Sequence, residues 1–177
     1  ISYLLYLQES GKVASTISRN IASIKAFFKF LKESGVIQVD PSQYVLAPKV
    51  EKKKPKILTL KEVEILLEQP DTSDIKGIRD RAMLEVLYAT GIKVTELTSL
   101  KVGDVNLNLQ CITCNSSRKE RIIPIGSKAI EALTIYLKDT RDILLKDNIT
   151  NFLFLNFSGK PMTRQGFWKI IKSYAQK

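Results

Sequence analysis

At 177 residues, 44% of them hydrophobic, the chain is long enough to pack one ordinary domain or two small ones, and disorder is not its default state. Its 28 basic residues outnumber 18 acidic ones, and the resulting net charge of +10 favours an anionic partner through phosphate neutralisation and counterion release, with a merely solvated basic surface as the plain alternative. No run of about 18 apolar residues occurs, so no membrane span is expected. The opening "ISYLLYLQESG" is too short, and too poor in basic residues at its start, for a secretory signal. Its helical pattern is already under way at Ile1, which leads us to expect a sequence that begins inside a domain. A zinc site is disfavoured, because the only cysteines, Cys111 and Cys114 of "CITC", have no second ligand pair and there is no histidine. Three apart on a strand, they point to opposite faces, as two small strand residues in a reducing cytoplasm would.

In chain order, Ile1 to Glu9 reads as a short helix closed by Gly11. In "STISRNIASIKAFFKFLKES", residues 15–34, apolar groups at Ile17, Ile21, Ile24, Phe28 and Leu31 have helical spacing, with Ser15 or Thr16 as N-cap and Gly35 as the stop. Arg19, Lys25, Lys29 and Lys32 fall largely off that stripe. "VDPSQYVLAPKV" is punctuated by Pro41 and Pro48 and leaves room for one short helical turn. "KVEKKKPK" then holds five lysines, including Lys52, Lys53 and Lys54, with Pro55 against helix, and reads as a linker over 49–57 between two domains, 1–48 and 58–177. Residues 1–56 carry ten basic and four acidic side chains, so six of the ten net charges sit in the first third.

Beyond the linker, Thr59 and Glu62 have capping-box spacing ahead of "LKEVEILLEQ". "IKGIRDRAMLEVLYAT" is a strongly apolar helix ended by Gly91, and "VTELTSLKVGDV" a further short helix. "VNLNLQCITC" and "ERIIPIG" alternate like strands joined by the polar turn "NSSRK". "SKAIEALTIYLKDTRDILL" returns to helical spacing, "NFLFLN" is a short buried strand or turn, and Thr163 caps a last helix, "RQGFWKIIKSYAQK". The expected fold is mainly α with one small antiparallel β-sheet.

The order of these pieces, a basic helical segment, a Lys-rich linker, "RDRAMLEVLYATGIKVTELTSLKVGDVNL", a hairpin ending "RKERIIPIG", and "GKPMTRQGFWKIIKSYA", resembles the tyrosine site-specific recombinases, in their Xer-type or phage-integrase branch. The resemblance covers nearly the whole chain. It implies a partial helical core-binding (SAM-like) domain followed by a catalytic domain cut short before its histidine–arginine box and its tyrosine nucleophile. In that family a tyrosine hydroxyl attacks a DNA phosphodiester without metal or cofactor, forming a 3′-phosphotyrosine. Fixed cations stabilise the pentacoordinate phosphate, and a hairpin lysine protonates the leaving oxygen. The resemblance therefore implies double-stranded DNA as partner, a cytoplasmic, nucleoid-associated location, and tetramers on DNA that the isolated fragment, expected to be a monomer, would not form.

Carried over residue by residue, the family's first arginine falls on Lys93, and its supporting acid on Glu96. Aligned on "KER", the hairpin lysine falls on Ser116. Arginine offers a planar fork that grips two phosphate oxygens, and lysine a point charge on a flexible stem. Loss of one preorganised donor costs on the order of 2.7–4 kcal/mol of barrier. Lys93 should thus hold a phosphate yet stabilise the transition state poorly, and Ser116 cannot replace an ammonium, although Arg118 or Lys119 could swing in. The plain reading makes Lys93 a junction cation with Glu96 as salt-bridge partner. Further candidates for DNA contact are Ser18, Arg19, Asn20 and Lys25 on the long helix, the linker lysines 52–54, Arg118, Lys119 and Arg121 on the hairpin, and Arg164. Against these stand a hairpin edge guarded by charge and, for Arg164, simple solvation. Trp168 and Phe167 are assigned to the core. None of Tyr3, Tyr6, Tyr44, Tyr88, Tyr136 and Tyr174 lies in the nucleophile's context. Two rivals remain: a non-catalytic DNA-binding relative, to which Lys93 and Ser116 point, and a helical protein–protein adaptor whose charge is incidental.

Overall fold

A computed structural model describes residues 2–50, 57–115 and 120–176. The fold is mainly α-helical with one three-stranded antiparallel sheet, and the chain divides into two units, Ile1–Lys56 and Ile57–Lys177.

The first unit is built on α1 (Ser2–Glu9) and α2 (Ala14–Glu33). The chain reverses between them through Gly11, whose φ of 68° is a left-handed conformation that a side chain would resist. Leu7, Ile17 and Ile21 are buried together, with Leu4 and Val45 packed against them. The α2 stripe read from the sequence is therefore the inward face, although Ile24, Phe28 and Leu31 are only half-buried. The cap differs from expectation. Val13 occupies the N-cap and its carbonyl takes the Thr16 N–H at 2.9 Å, so Ser15 and Thr16 already lie within the first turn. The segment after Pro41 is a turn rather than a helical turn. Asp40 organises it by accepting the Ser42 N–H at 2.7 Å and the Ser42 hydroxyl at 2.6 Å. Those two bonds, the hydroxyl's first, hold the Asp40 carboxyl below its usual range.

The second unit begins with α3 (Leu60–Glu68), where Thr59 and Glu62 form the full capping box that the spacing predicted. Helix α4 (Ile75–Thr90) is capped by Asp74, which accepts from the Gly77 N–H at 2.6 Å. Gly77 is dictated by space, since a Cβ there would collide with the Asp71 carbonyl. Helix α4 runs through the centre, with Ala82, Met83 and Val86 fully buried and α6 packed along it. Its end is set by Gly91 in the left-handed region, φ 60°.

Next come α5 (Val94–Ser99), a 3₁₀ turn (Val102–Asp104) and strands β1 (Val105–Asn106), β2 (Cys111–Asn115) and β3 (Glu120–Pro124). The strands pair in sequence order, Val105 opposite Ile112 and Cys114 opposite Arg121. On β2, Ile112 and Cys114 face inward, fully buried, while Cys111 lies on the other face. The predicted strand from Val105 is interrupted at 107–110 by a turn in which Gln110 takes φ 53°. Helix α6 (Ser127–Ile135) widens into a π turn at Tyr136–Thr140 before α7 (Arg141–Leu145), so the long helical pattern of the sequence is one run with a bulge. Residues 151–155 pair with neighbours only through isolated bridges, Lys101 with Phe152 and Leu155 with Pro161. Side chains hold the rest. Tyr136 donates to the Leu153 carbonyl at 2.9 Å, and Arg141 donates to the carbonyls of Thr150 and Phe152. Helix α8 (Arg164–Tyr174) starts at Thr163, whose hydroxyl accepts from the Gly166 N–H at 3.0 Å.

Candidate nucleic-acid interface

The left-handed turn at Gly91 drops Ile92 into the core, 5% exposed, and leaves Lys93 exposed at the N-cap of α5. Lysine has no acceptor with which to cap a helix. The junction is instead closed from the other side, where Glu96 Oε2 accepts the Lys93 backbone N–H at 2.9 Å. The second oxygen of the same carboxylate, Oε1, accepts from Arg121 Nη2 on β3 at 2.6 Å. One carboxylate thus ties the α4–α5 junction to the sheet. Glu96 is largely sheltered, with 13% of its side chain accessible, whereas Arg121 keeps 48%. The Lys93 N–H, and then the charge and hydrogen bond of Arg121, hold the Glu96 carboxyl below its usual range. The plain alternative, an ion pair between the Lys93 and Glu96 side chains, is not what forms: Lys93 meets Glu96 through its backbone N–H, and Arg121 makes the ion pair.

Beside the pair lies a small cavity of about 230 Å³ lined by Glu96, Ser99, Lys101, Asp104, Cys114 and Asn115, with Leu100 below. Lys101 is exposed at its rim, its backbone N–H bound to Asp104 at 2.8 Å. The sequence reading did not single out Lys101. Its signal was the repeat, eight residues on, of the Lys93 pattern, a lysine three residues before an acid at a helix start.

Arg164 is exposed at the first turn of α8 and lines an apolar groove of about 490 Å³ with Val94, Phe167, Trp168 and Ile171. The lining includes Val94, the residue after Lys93. The assignment of Trp168 to the core is corrected. Helix α8 buries Phe167 and Tyr174 and half-buries Ile170 and Ile171, a strict helical stripe. Trp168 stands one residue off it, 58% exposed, with the Lys172 ammonium 5.9 Å from its ring. Phe167 is fully buried, as expected.

In the first unit, three of the four candidates on α2 already hold internal bonds. The Ser18 hydroxyl donates to the Pro48 carbonyl at 3.2 Å, and Lys25 reaches the Gln43 carbonyl at 3.5 Å. Asn20 donates to the Thr16 carbonyl and accepts from the Tyr3 hydroxyl. Arg19 is exposed. Lys52, Lys53, Lys54, Ser116, Arg118 and Lys119 lie outside the described residues.

Two tyrosines are committed to the core of the second unit. Burial pushes Tyr136 up to about 12, and its hydroxyl bridges the backbone of Leu153 and Leu155. Tyr174 donates to Asp80 Oδ2 at 3.0 Å, and burial, then the Asp80 charge, pushes its phenol higher still. Both are poor nucleophiles where they stand.

The phage integrase family profile matches residues 56–177. The chain belongs to the phage integrase family. Among curated relatives, the protein TTE1313 of Caldanaerobacter subterraneus subsp. tengcongensis is 48% identical over 177 residues, covering 100% of this chain and 60% of its own length. The tyrosine recombinase XerD of Halalkalibacterium halodurans is 42% identical over 177 residues, covering 99% of this chain and 59% of the relative. The chain therefore spans about 60% of the length of the curated relatives it matches. The fold is that of the XerH site-specific recombinase in its pre-cleavage complex with difH substrate, with a TM-score of 0.73 at 22% identity over 99% of this chain and 52% of that one.

Proposed function

We propose that this phage integrase family chain is the DNA-gripping part of a tyrosine recombinase, in which the surface around Lys93, Glu96 and Arg121 holds a phosphate of duplex DNA. One observation carries the reading: a single sheltered carboxylate takes the backbone N–H of exposed Lys93 and the guanidinium of half-accessible Arg121, and so ties two basic residues from separate elements to one place. Glu96 neutralises part of the Arg121 charge, yet it fixes where that guanidinium sits, and a fixed donor is what binds and polarises a phosphate. Arg164 and Lys101 extend the basic surface within the second unit. Arg19 and the lysines at 52–54 contribute phosphate contacts in the first unit and the linker, where position rather than sequence is read.

The division of labour follows the sequence reading. Residues 1–48 form a core-binding domain, 49–57 a linker, and 58–177 the catalytic-type domain that holds the phosphate. Strand cleavage is not assigned to any of the six tyrosines; Tyr136 and Tyr174 are tied into the core. Ser116 at the hairpin lysine's position supplies no ammonium for the leaving oxygen. The isolated chain is a monomer, and it is the whole recombinase that partner subunits join on nucleoid DNA.

Three proteins compared on one fluorescein-labelled mixed-sequence duplex test the reading by anisotropy. Lys93→Arg should bind at least as tightly as the unmodified chain, because the fork replaces a point charge at the same place. Lys93→Ala should bind about tenfold more weakly at 0.1 M salt, the loss of one phosphate contact. Equal affinities across the three would remove Lys93 from the interface.

A further inference from the structure

We propose that Arg121, positioned by Glu96, is the guanidinium that grips the phosphate at this site, with Lys93 as the accessory charge beside it. The inference rests on the DNA-gripping reading and names which group does the gripping.

The argument starts from what each cation lacks. Lys93 has charge and exposure, but its Nζ ends a flexible stem, and its one fixed contact with Glu96 is made by the backbone N–H. Arg121 has the opposite character. Its backbone is registered in the sheet opposite Cys114, a fully buried residue, so the strand cannot shift without disturbing the core. Its guanidinium is held at the far end by Glu96 at 2.6 Å. A guanidinium carries five N–H donors in a planar fork, so one bond to Glu96 leaves the others for an anion. Nearly half of the side chain is accessible, so an anion can reach it from solvent.

Glu96 is thereby a positioning residue. It is anchored itself, by the Lys93 N–H, on a helix whose next residue, Leu97, is fully buried. The chain of support runs from core to Leu97, to Glu96, to Arg121, and ends at the solvent side where a phosphate would sit. A site built in this way keeps a preorganised guanidinium even though lysine occupies position 93.

This assignment predicts an effect opposite in sign to simple electrostatics. An acid on a DNA-binding face repels phosphate, so its neutralisation by Glu96→Gln should tighten binding if the acid were a bystander. If Glu96 positions Arg121, the same change weakens binding.

The experiment measures affinity of the full chain for a mixed-sequence duplex across a salt series, for the unmodified chain, Glu96→Gln, Arg121→Gln, Arg121→Lys and the double variant Lys93→Arg/Arg121→Gln. Circular dichroism and thermal melts establish that each is folded, and Arg121→Lys preserves the charge should Arg121→Gln fail to fold. Arg121→Gln is expected to lose about tenfold in affinity at 0.1 M salt and to lower the slope of log affinity against log salt by about 0.9. Arg121→Lys keeps the slope but binds several-fold more weakly, and Lys93→Arg restores part of what Arg121→Gln loses. Glu96→Gln weakens binding with the slope retained. Tighter binding by Glu96→Gln, or an unchanged slope in Arg121→Gln, overturns the assignment while leaving the DNA-gripping reading in place. If the unmodified chain shows no salt-dependent affinity, the DNA-gripping reading itself fails and takes this assignment with it.

Discussion

Glu96 concentrates the physics of the site in one side chain. Its two oxygens accept from two different elements, and both bonds favour the ionised form, so its folded pKa lies below its unfolded one. The sign of the linkage follows. Stability from this group is fully present above the ordinary glutamate range and is lost as pH falls through the depressed folded value. Glu96→Gln should therefore destabilise the chain at neutral pH and make its stability fall less steeply in acid. Urea midpoints measured at neutral pH and at about pH 3 compare the two proteins; an acid limb as steep in Glu96→Gln as in the unmodified chain would show that the carboxylate is not so held. The motif put Lys93 and Glu96 side by side at the start of a helix, and the structure joins them through the Lys93 N–H. That Arg121 is the partner of Glu96 was not legible, because the two are 25 residues apart and meet only once the sheet has formed.

At the level of elements, α4 holds the second unit together, and it does so with charge as well as apolar packing. Arg79, 2% exposed, donates through Nε and Nη2 to Asp80 Oδ1 and through Nη1 to the Leu155 carbonyl, and Asp80 accepts the Tyr174 hydroxyl from α8. Burial pushes the Asp80 carboxyl up, against the pull of Arg79. Arg79→Met would leave that carboxylate buried without its cation, and a loss of about 3–5 kcal/mol in urea unfolding is expected. Tyr136→Phe should cost about 1–3 kcal/mol by leaving the Leu153 carbonyl and Leu155 N–H without their shared hydroxyl. Trp168→Ala, by contrast, should change stability by no more than about 0.5 kcal/mol, because its ring lies on the surface. A loss as large as that of Tyr136→Phe would return Trp168 to the core.

The same elements show where sequence reasoning holds and where it stops. Helices α3, α4 and α8 were readable because capping residues and glycine stops are local signals: Thr59 with Glu62, Gly91, and Thr163. The start of α2 was misplaced because the helix begins one residue before Ser15, after an N-cap valine that supplies no side-chain cap and so leaves no polar signal in the sequence. Trp168 was misplaced because residue type was weighed over its one-residue offset from the α8 stripe. The π turn at Tyr136–Thr140 carries no sequence signature. It sits where the Tyr136 hydroxyl and the Arg141 guanidinium reach across to residues 150–155, which is a tertiary demand.

For the whole molecule, the governing number is the net charge of +10. Among the described residues no helix is long and apolar enough to cross a membrane, and exposed cations stand around Glu96 and at the start of α8. The chain spans about 60% of its relatives' length and carries a basic first third and a guanidinium, Arg121, held on the Glu96 carboxylate. The adaptor reading and the DNA-gripping reading part on one quantity, the dependence of duplex affinity on salt. The most direct measurement is that of the unmodified chain on a mixed-sequence duplex by fluorescence anisotropy across a salt series. Affinity falling linearly in log–log form, with a slope of at least about −3 from several neutralised phosphates, is the result the account predicts. Binding indifferent to salt, or none at the lowest salt, would contradict it.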